Sequence, residues 1–352
     1  MGKFKLTIIM AIFVLVLAAC GTSNGASSEP EANEPEAAET ETTETSGETE
    51  ESTEPTTVEV TDAHGTVTVP VNPKNVVALD NRTFETLADW GIELAAVPKE
   101  IMLADSPYVT DENVQDIGNH REPNLEILAA ADPELVIVGQ RFSGYYEDIK
   151  KLVPNAAVIN LDIDVSEEAS EPGENLVNGF KETTITLGQI FDKNEEAEQL
   201  VTELEQAIET AKSAYNGTDT IMSVIVSGGD IGFSAPQTGR VWGPLYDIFG
   251  WAPALEVDGT STDHQGDEIS VEAIAQSNPD WIFVLDRDAP ISGLEEEEKV
   301  PAQDVIDNSP ALQNTTAVSE GQIVYAPMDI YLNESVQTFI ELFENIANSL
   351  AE

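Results

Sequence analysis

Asn124-Leu-Glu-Ile-Leu-Ala-Ala-Ala-Asp-Pro-Glu-Leu-Val-Ile-Val-Gly-Gln-Arg141 is the stretch that decides the fold, because the chain says it twice. Residues 270–287 read Ser-Val-Glu-Ala-Ile-Ala-Gln-Ser-Asn-Pro-Asp-Trp-Ile-Phe-Val-Leu-Asp-Arg, with Glu126/Glu272, Ala129/Ala275, Pro133/Pro279, Val138/Val284 and Arg141/Arg287 identical. Each copy starts as a short helix. Each then meets a proline, which cannot continue a helix, and passes into an apolar run of strand length. Each ends in arginine. A helix–Pro–strand unit repeated 146 residues later predicts two similar α/β lobes.

Working outward, Val76–Leu79, Leu94–Val97 and Ala157–Leu161 read as strands, and Thr83–Trp90 and Tyr145–Leu152 as helices. Units of this size alternating along a chain imply parallel sheets with helices on both faces. Val58–Val69 alternates apolar and polar residues around Asp62-Ala63-His64-Gly65, which predicts a hairpin. A helical stretch then interrupts the alternation. Asn175–Ile190 is one helix, and Asn194 is expected to cap a second with Ala197, Leu200, Leu204 and Ala211 on one face. Strand Ile221–Val226, a helix over Val241–Phe249, the second repeat, strand Ile323–Tyr325 and a helix from Val336 complete the chain. The predicted order is an N-terminal lobe (58–170), an inter-lobe spine helix (171–192) and a C-terminal lobe (193–352).

The start of the chain carries a different signal. Lys3 and Lys5 precede an apolar Leu6–Leu17, too short to span a bilayer comfortably. Leu17-Ala18-Ala19-Cys20 resembles the bacterial lipobox, which implies a signal peptide over 1–19 and a lipid anchor on Cys20, the sole cysteine. With no second cysteine, disulfides and cysteine metal sites are excluded. Residues 21–57 hold eleven glutamates and no basic residue, so 20–57 is expected to be a lipidated cysteine and a disordered acidic tether. The rest is acidic too: residues 58–352 carry 55 acidic against 13 basic side chains. That balance excludes nucleic acid and anionic membrane surfaces as partners, leaving the lipid as the membrane contact.

Against this acidity five arginines stand out. In open α/β sheets, ligands bind outside the carboxyl ends of the strands, and Arg141 and Arg287 lie at those ends, one per lobe. Arg240 sits in Ser234-Ala-Pro-Gln-Thr-Gly-Arg240, ahead of a helix whose amides favour anions. Trp242 beside it is a candidate aromatic wall, and Arg82, after the first strand, is a fourth anion contact. An arginine–oxyanion contact at about 4 Å is worth roughly 4 kcal/mol at an effective dielectric near 20, so three of them suit a trianion. His264 and Tyr331 offer imidazole and phenol groups, donors that suit ferric iron. His64 and His120 fall in predicted turns.

These residues resemble a known family, the iron–siderophore-binding lipoproteins of bacterial ABC importers, and within it the branch that binds ferric catecholates such as petrobactin. The likeness runs from about Val58 to the C-terminus. It is carried by Asn72-Pro-Lys-Asn-Val-Val77, Asp116-Ile-Gly118, both repeat copies and Asp247-Ile-Phe-Gly-Trp-Ala-Pro-Ala254. The resemblance implies the class III periplasmic-binding-protein fold: two Rossmann-like lobes, each a parallel-rich sheet flanked by helices, joined by a long rigid helix. It makes Arg141, Arg240 and Arg287 the basic triad on the catecholate oxygens. His264 and Tyr331 become candidate Fe3+ ligands where a siderophore leaves coordination sites open, although this chain has Gln265 between His264 and Gly266. Glu126 and Glu272 occupy the positions that dock on the permease; both also suit a helix first turn.

The function expected is capture of a ferric siderophore at the extracytoplasmic face of the cell membrane by a monomer that hands it to an ABC permease dimer. No intrinsic cofactor and no catalysis are expected. Haem or cobalamin binding on the same fold is the nearest alternative, and an α/β hydrolase-like surface enzyme is the alternative of another class. The latter lacks a Gly-x-Ser-x-Gly elbow. A purely structural acidic lipoprotein would leave the paired arginines without a role.

Overall fold

The computed structural model describes residues 56–351 apart from 120, 122, 167, 292 and 295–298. The signal segment, Cys20, nearly all of the acidic tether and His120 therefore lie outside the described residues. The folded part forms one compact unit, Thr53–Glu352.

A hairpin of β1 (Thr57–Asp62) and β2 (Gly65–Pro70) opens it. Then follow β3 (Val76–Ala78), α1 (Phe84–Asp89), β4 (Leu94–Val97), α2 (Pro107–Thr110), β5 (Gln115–Asp116), α3 (Leu125–Ala130), β6 (Leu135–Val138), α4 (Tyr146–Leu152) and β7 (Ala157–Asn160). Among the described residues β3 to β7 form one parallel sheet in the order β5-β4-β3-β6-β7. Every residue of β3 and β6 is buried, the pattern of strands covered on both faces.

Two long helices come next, α5 (Pro172–Ile190) and α6 (Asn194–Ala214). The second sheet is built from β8 (Thr220–Ser227), β9 (Asp230–Phe233), β10 (Ala252–Pro253), β11 (Trp281–Asp286) and β12 (Ile323–Tyr325). Its order is β10-β8-β11-β12, with β9 antiparallel on β8. Helices α7 (Gly243–Phe249), α8 (Val271–Ser277), α9 (Ala302–Asp307), α10 (Thr316–Glu320) and α11 (Val336–Leu350) complete the chain. The two repeat copies are thus α3–β6 and α8–β11, each strand beside the first strand of its own sheet.

Helix α5 belongs to both cores. Leu176 and Phe180 in its first half pack with Trp242, Leu245 and Phe339. Leu187 and Ile190 at its other end pack with Val76, Leu94 and Ile137. At about 1.5 Å per residue, its 19 residues make a strut of roughly 28 Å. Three residues connect it to α6, which packs so close that a Cβ on Gly188, in the last turn of α5, would stand 2.6 Å from that of Ala197. The cap of α6 differs from expectation: Lys193 holds the N-cap position with no side-chain cap, and Asn194 is already helical. The short elements α2, β5, β9, β10, α9 and α10 were absent from the sequence expectation, being too brief to show periodicity.

The last helix locks the lobes together. Thr86 Oγ1 donates to Gln337 Oε1 (2.9 Å), Gln337 Nε2 donates to Asp89 (3.1 Å), and Asn81 Nδ2 donates to the Leu332 carbonyl (3.3 Å). Glu85 accepts from Asn333, Ser335 and Thr338 at the start of α11.

Candidate ligand-binding cleft

Strand ends define the site. Arg82 follows β3, Gln140 and Arg141 follow β6, Asp162 follows β7, Ser227 ends β8, Arg287 follows β11 and Tyr331 follows β12. All lie at or beyond carboxyl termini, where an open parallel sheet places its ligand.

Three guanidinium groups meet over one ring. The Cζ atoms of Arg240, Arg287 and Arg141 lie 4.7, 5.2 and 5.9 Å from the centroid of Tyr331. Like charges this close repel. The negative face of the phenol ring offsets part of that repulsion, at about 0.5–2 kcal/mol per cation. Tyr331 is itself buried beneath them.

Local backbone aims two of these arginines. Val241 adopts φ 64°, which a β-branched residue rarely adopts. The turn around it is closed by the Trp242 N–H donating to the Arg240 carbonyl at 2.7 Å. The side chains on either side of Val241 therefore diverge, Arg240 toward Tyr331 and Trp242 into the core. Gln140, at φ 35°, does the same for Arg141; its N–H donates to Asp162 Oδ1 (3.1 Å). Such strain costs roughly 1–3 kcal/mol per residue and persists where surrounding structure imposes it.

Carboxylates answer the arginines. Glu334, 4% exposed, pairs closely with Arg240, lies 3.5 Å from Arg82 Nη2, and accepts from Gln140 Nε2 at 2.8 Å. Burial works to raise its pKa, but Arg240, Arg82 and Arg141 together bring it below the usual carboxylate value. Arg82 also lies 3.6 Å from Asp162. Arg287 Nη1 donates to Asp288 Oδ1 (2.7 Å) and to Ser227 Oγ (3.3 Å). Among the described residues Arg141 has no ion pair. Burial, and then the Arg240 charge, lower its pKa. Beneath the cluster Asp80 is fully buried, and burial pushes it up to about 7, with Arg82 opposing the rise.

Beside the triad lies a cavity of about 410 Å³. Arg82, Arg141 and Arg240 form its basic side, Asp162, Asp164 and Ser166 its polar wall, and Ile163, Leu176 and Phe339 its apolar floor. Volume and mixed lining suit a small organic ligand. His264 is half exposed, with Nδ1 4.0 Å from Asp263. Burial lowers its pKa, Asp263 opposes, and all three arginines add to the lowering, so it stands within their field.

The structure thus brings together Arg141, Arg240, Arg287, Tyr331 and Arg82, with His264 at the edge. Trp242 is a correction. It is 0% exposed and packs on Phe283 at 5.4 Å, so it forms core and not a cleft wall. Glu126 and Glu272 are exposed in the first turns of α3 and α8, behind side-chain N-caps Asn124 and Ser270. Glu334, Asp288 and Asp80 were missed, since nothing marks three buried acids among 66. Among the described residues there is no cluster of three or more His, Cys, Asp or Glu suited to a metal, and no helix long and apolar enough to cross a membrane.

Known proteins share this plan. Petrobactin-binding protein YclQ of Bacillus subtilis is 27% identical over 328 residues, covering 92% of this chain and 91% of its own. Ferric-anguibactin-binding protein FatB of Vibrio anguillarum is 25% identical over 268 residues, covering 76% and 79%. The solved structure of siderophore-binding protein BauB, bound to a complex of two acinetobactin molecules and ferric iron, superposes with TM-score 0.70 at 25% identity, covering 84% of this chain and 99% of its own. The family model for periplasmic binding proteins matches residues 76–330. That match runs from the first residue of β3 to just past β12, taking in both five-stranded sheets and Arg82, Arg141, Arg240 and Arg287, and the chain belongs to the periplasmic binding protein family.

Proposed function

We propose that this chain is the extracytoplasmic binding protein of an ABC importer, and that it captures a ferric siderophore of the catecholate class between its lobes. The convergence of Arg141, Arg240 and Arg287 on Tyr331 carries this reading. Deprotonated catechol oxygens around Fe3+ bear negative charge at the rim of a broad aromatic complex. A fan of guanidinium donors over an apolar-floored cavity complements that shape. Nε of Arg240 and Arg287 is buried without an acceptor among the described residues, so donor capacity remains for ligand oxygens. Similarity to proteins that bind petrobactin and ferric anguibactin supports the same class.

The wider proposal follows from the same plan. Capture proceeds without turnover, and a monomer anchored through Cys20 delivers the complex to a permease dimer by way of Glu126 and Glu272. Both glutamates are presented on short, side-chain-capped helices, one on each lobe. His264, held neutral near pH 7, and Tyr331 are the candidate donors to iron where a chelator leaves sites open.

Calorimetric titration with ferric catecholate, ferric hydroxamate, ferric citrate and haem tests the reading. Binding of the catecholate in the nanomolar range, about −12 kcal/mol, and at least tenfold weaker binding of the others is expected. Tighter binding of haem, or hydrolytic turnover of ester substrates, would overturn it.

A further inference from the structure

Four arginines face the cleft, yet Glu334, Asp162 and Asp288 already stand against three of those charges. With Asp164 also on the cavity wall, little net positive charge is left near the ligand. Glu334 is the member placed to matter most. It is buried, it stays ionised, and it joins Arg82 and Gln140 from the first lobe to Arg240 from the second. Its neighbours fix it in place, because Asn333 and Ser335 on either side are both hydrogen-bonded to Glu85 of α1.

Resting on the ferric-siderophore reading above, we propose that Glu334 is the specificity-determining carboxylate of the cleft: a resident anion at Arg240 that selects iron chelates of low net charge over trianions. A ligand oxygen approaching Arg240 displaces Glu334 from that guanidinium or shares it with a like charge. The penalty therefore grows with each negative charge on the chelate. Arg82 and Gln140 keep Glu334 satisfied when Arg240 turns to the ligand, so the exchange is local and leaves no buried charge alone. A bis(catecholate) around Fe3+ carries a net charge of −1 and a tris(catecholate) −3, which makes the former the matched class.

The probes are hexadentate ferric tris(catecholates) with no, one or two backbone ammonium groups (net −3, −2 and −1) and a tetradentate ferric bis(catecholate). Affinities are measured in about 1 M salt, where a Debye length near 3 Å removes the protein's distant field. Wild type should bind tighter as the net charge falls. Glu334→Gln should strengthen the −3 complex at least tenfold and the −1 complexes less than threefold, and Glu334→Asp should restore the original order. Uniform weakening of all complexes by Glu334→Gln would make Glu334 a mere organiser of Arg240 and overturn the proposal. Should Glu334→Gln fail to fold, the wild-type order decides, and preference for the −3 complex sinks the idea. If wild type binds no ferric chelate, the functional reading itself has failed and this proposal falls with it.

Discussion

The two repeat copies end in the same residue and deliver it in different ways. In the first lobe the strand finishes Val138-Gly139-Gln140-Arg141; in the second it finishes Val284-Leu285-Asp286-Arg287. A Cβ on Gly139 would collide with the Asp80 carboxylate, so glycine there makes room for a buried acid under the cleft. Leu285 in the equivalent place is fully buried core. Asp286 binds the amides of Asp288, Ala289 and Ala302, stiffening the loop that follows, whereas Gln140 is strained at φ 35° and reaches Glu334. As a result Arg287 is matched by Asp288, while Arg141 has no ion pair among the described residues. Duplication conserved the frame and let the charge environment diverge.

Breaking that comparison at the strand ends gives the largest effects. Leu285→Ala should cost about 2–5 kcal/mol of stability by leaving a core cavity. Gly139→Ala should cost about 1–3 kcal/mol for the opposite reason, overpacking against Asp80. Denaturant unfolding of both measures the pair, and a neutral Gly139→Ala would refute the close approach. Next is the acid that Gly139 accommodates. The Asp80 pKa is raised in the folded state, so its native form keeps a proton that the unfolded chain loses near pH 4. Its contribution to stability is present below about pH 4 and is lost as pH rises toward about 7. Unfolding free energies between pH 4 and 8 should show Asp80→Asn gaining on wild type by up to about 4 kcal/mol across that window.

Binding sharpens the contrast further. Arg141→Ala should weaken the ferric catecholate about 100-fold, roughly 2.7 kcal/mol, and Arg287→Ala about tenfold, roughly 1.4 kcal/mol. Arg287 already spends donors on Asp288 and Ser227, and its loss removes less that is new. Equal losses in calorimetry would mean that the resident carboxylate does not matter. The smallest effects belong to Glu126→Ala and Glu272→Ala. Each should change stability by no more than about 1 kcal/mol, the scale of a helix-dipole contact, and leave ligand affinity untouched while slowing iron uptake. Altered affinity in either would count against a docking role.

The β/α frame was legible because Pro133 and Pro279 punctuate helix and strand, and because β6 is apolar throughout and β11 is apolar up to Leu285. The arginines were legible because basic residues are scarce and sit at strand ends. Other features were hidden for physical reasons. Trp242 stands two residues after Arg240, and only the left-handed backbone at Val241 between them sends the two apart; a β-branched residue gives no hint of positive φ. Glu334 looks like any acid in an acidic chain, and its burial depends on Arg82 and Gln140 arriving from elsewhere in the fold. Lys193 preceding Asn194 concealed the true start of α6, since asparagine is the better capping residue.

A crystal structure of the complex with the gallium analogue of a bis(catecholate) chelate tests the central claim most directly. Catecholate oxygens are expected within hydrogen-bonding distance of Arg141, Arg240 and Arg287, above the ring of Tyr331. A chelate bound elsewhere, with Arg240 and Arg287 still on their carboxylates and Arg141 still over the Tyr331 ring, would contradict it.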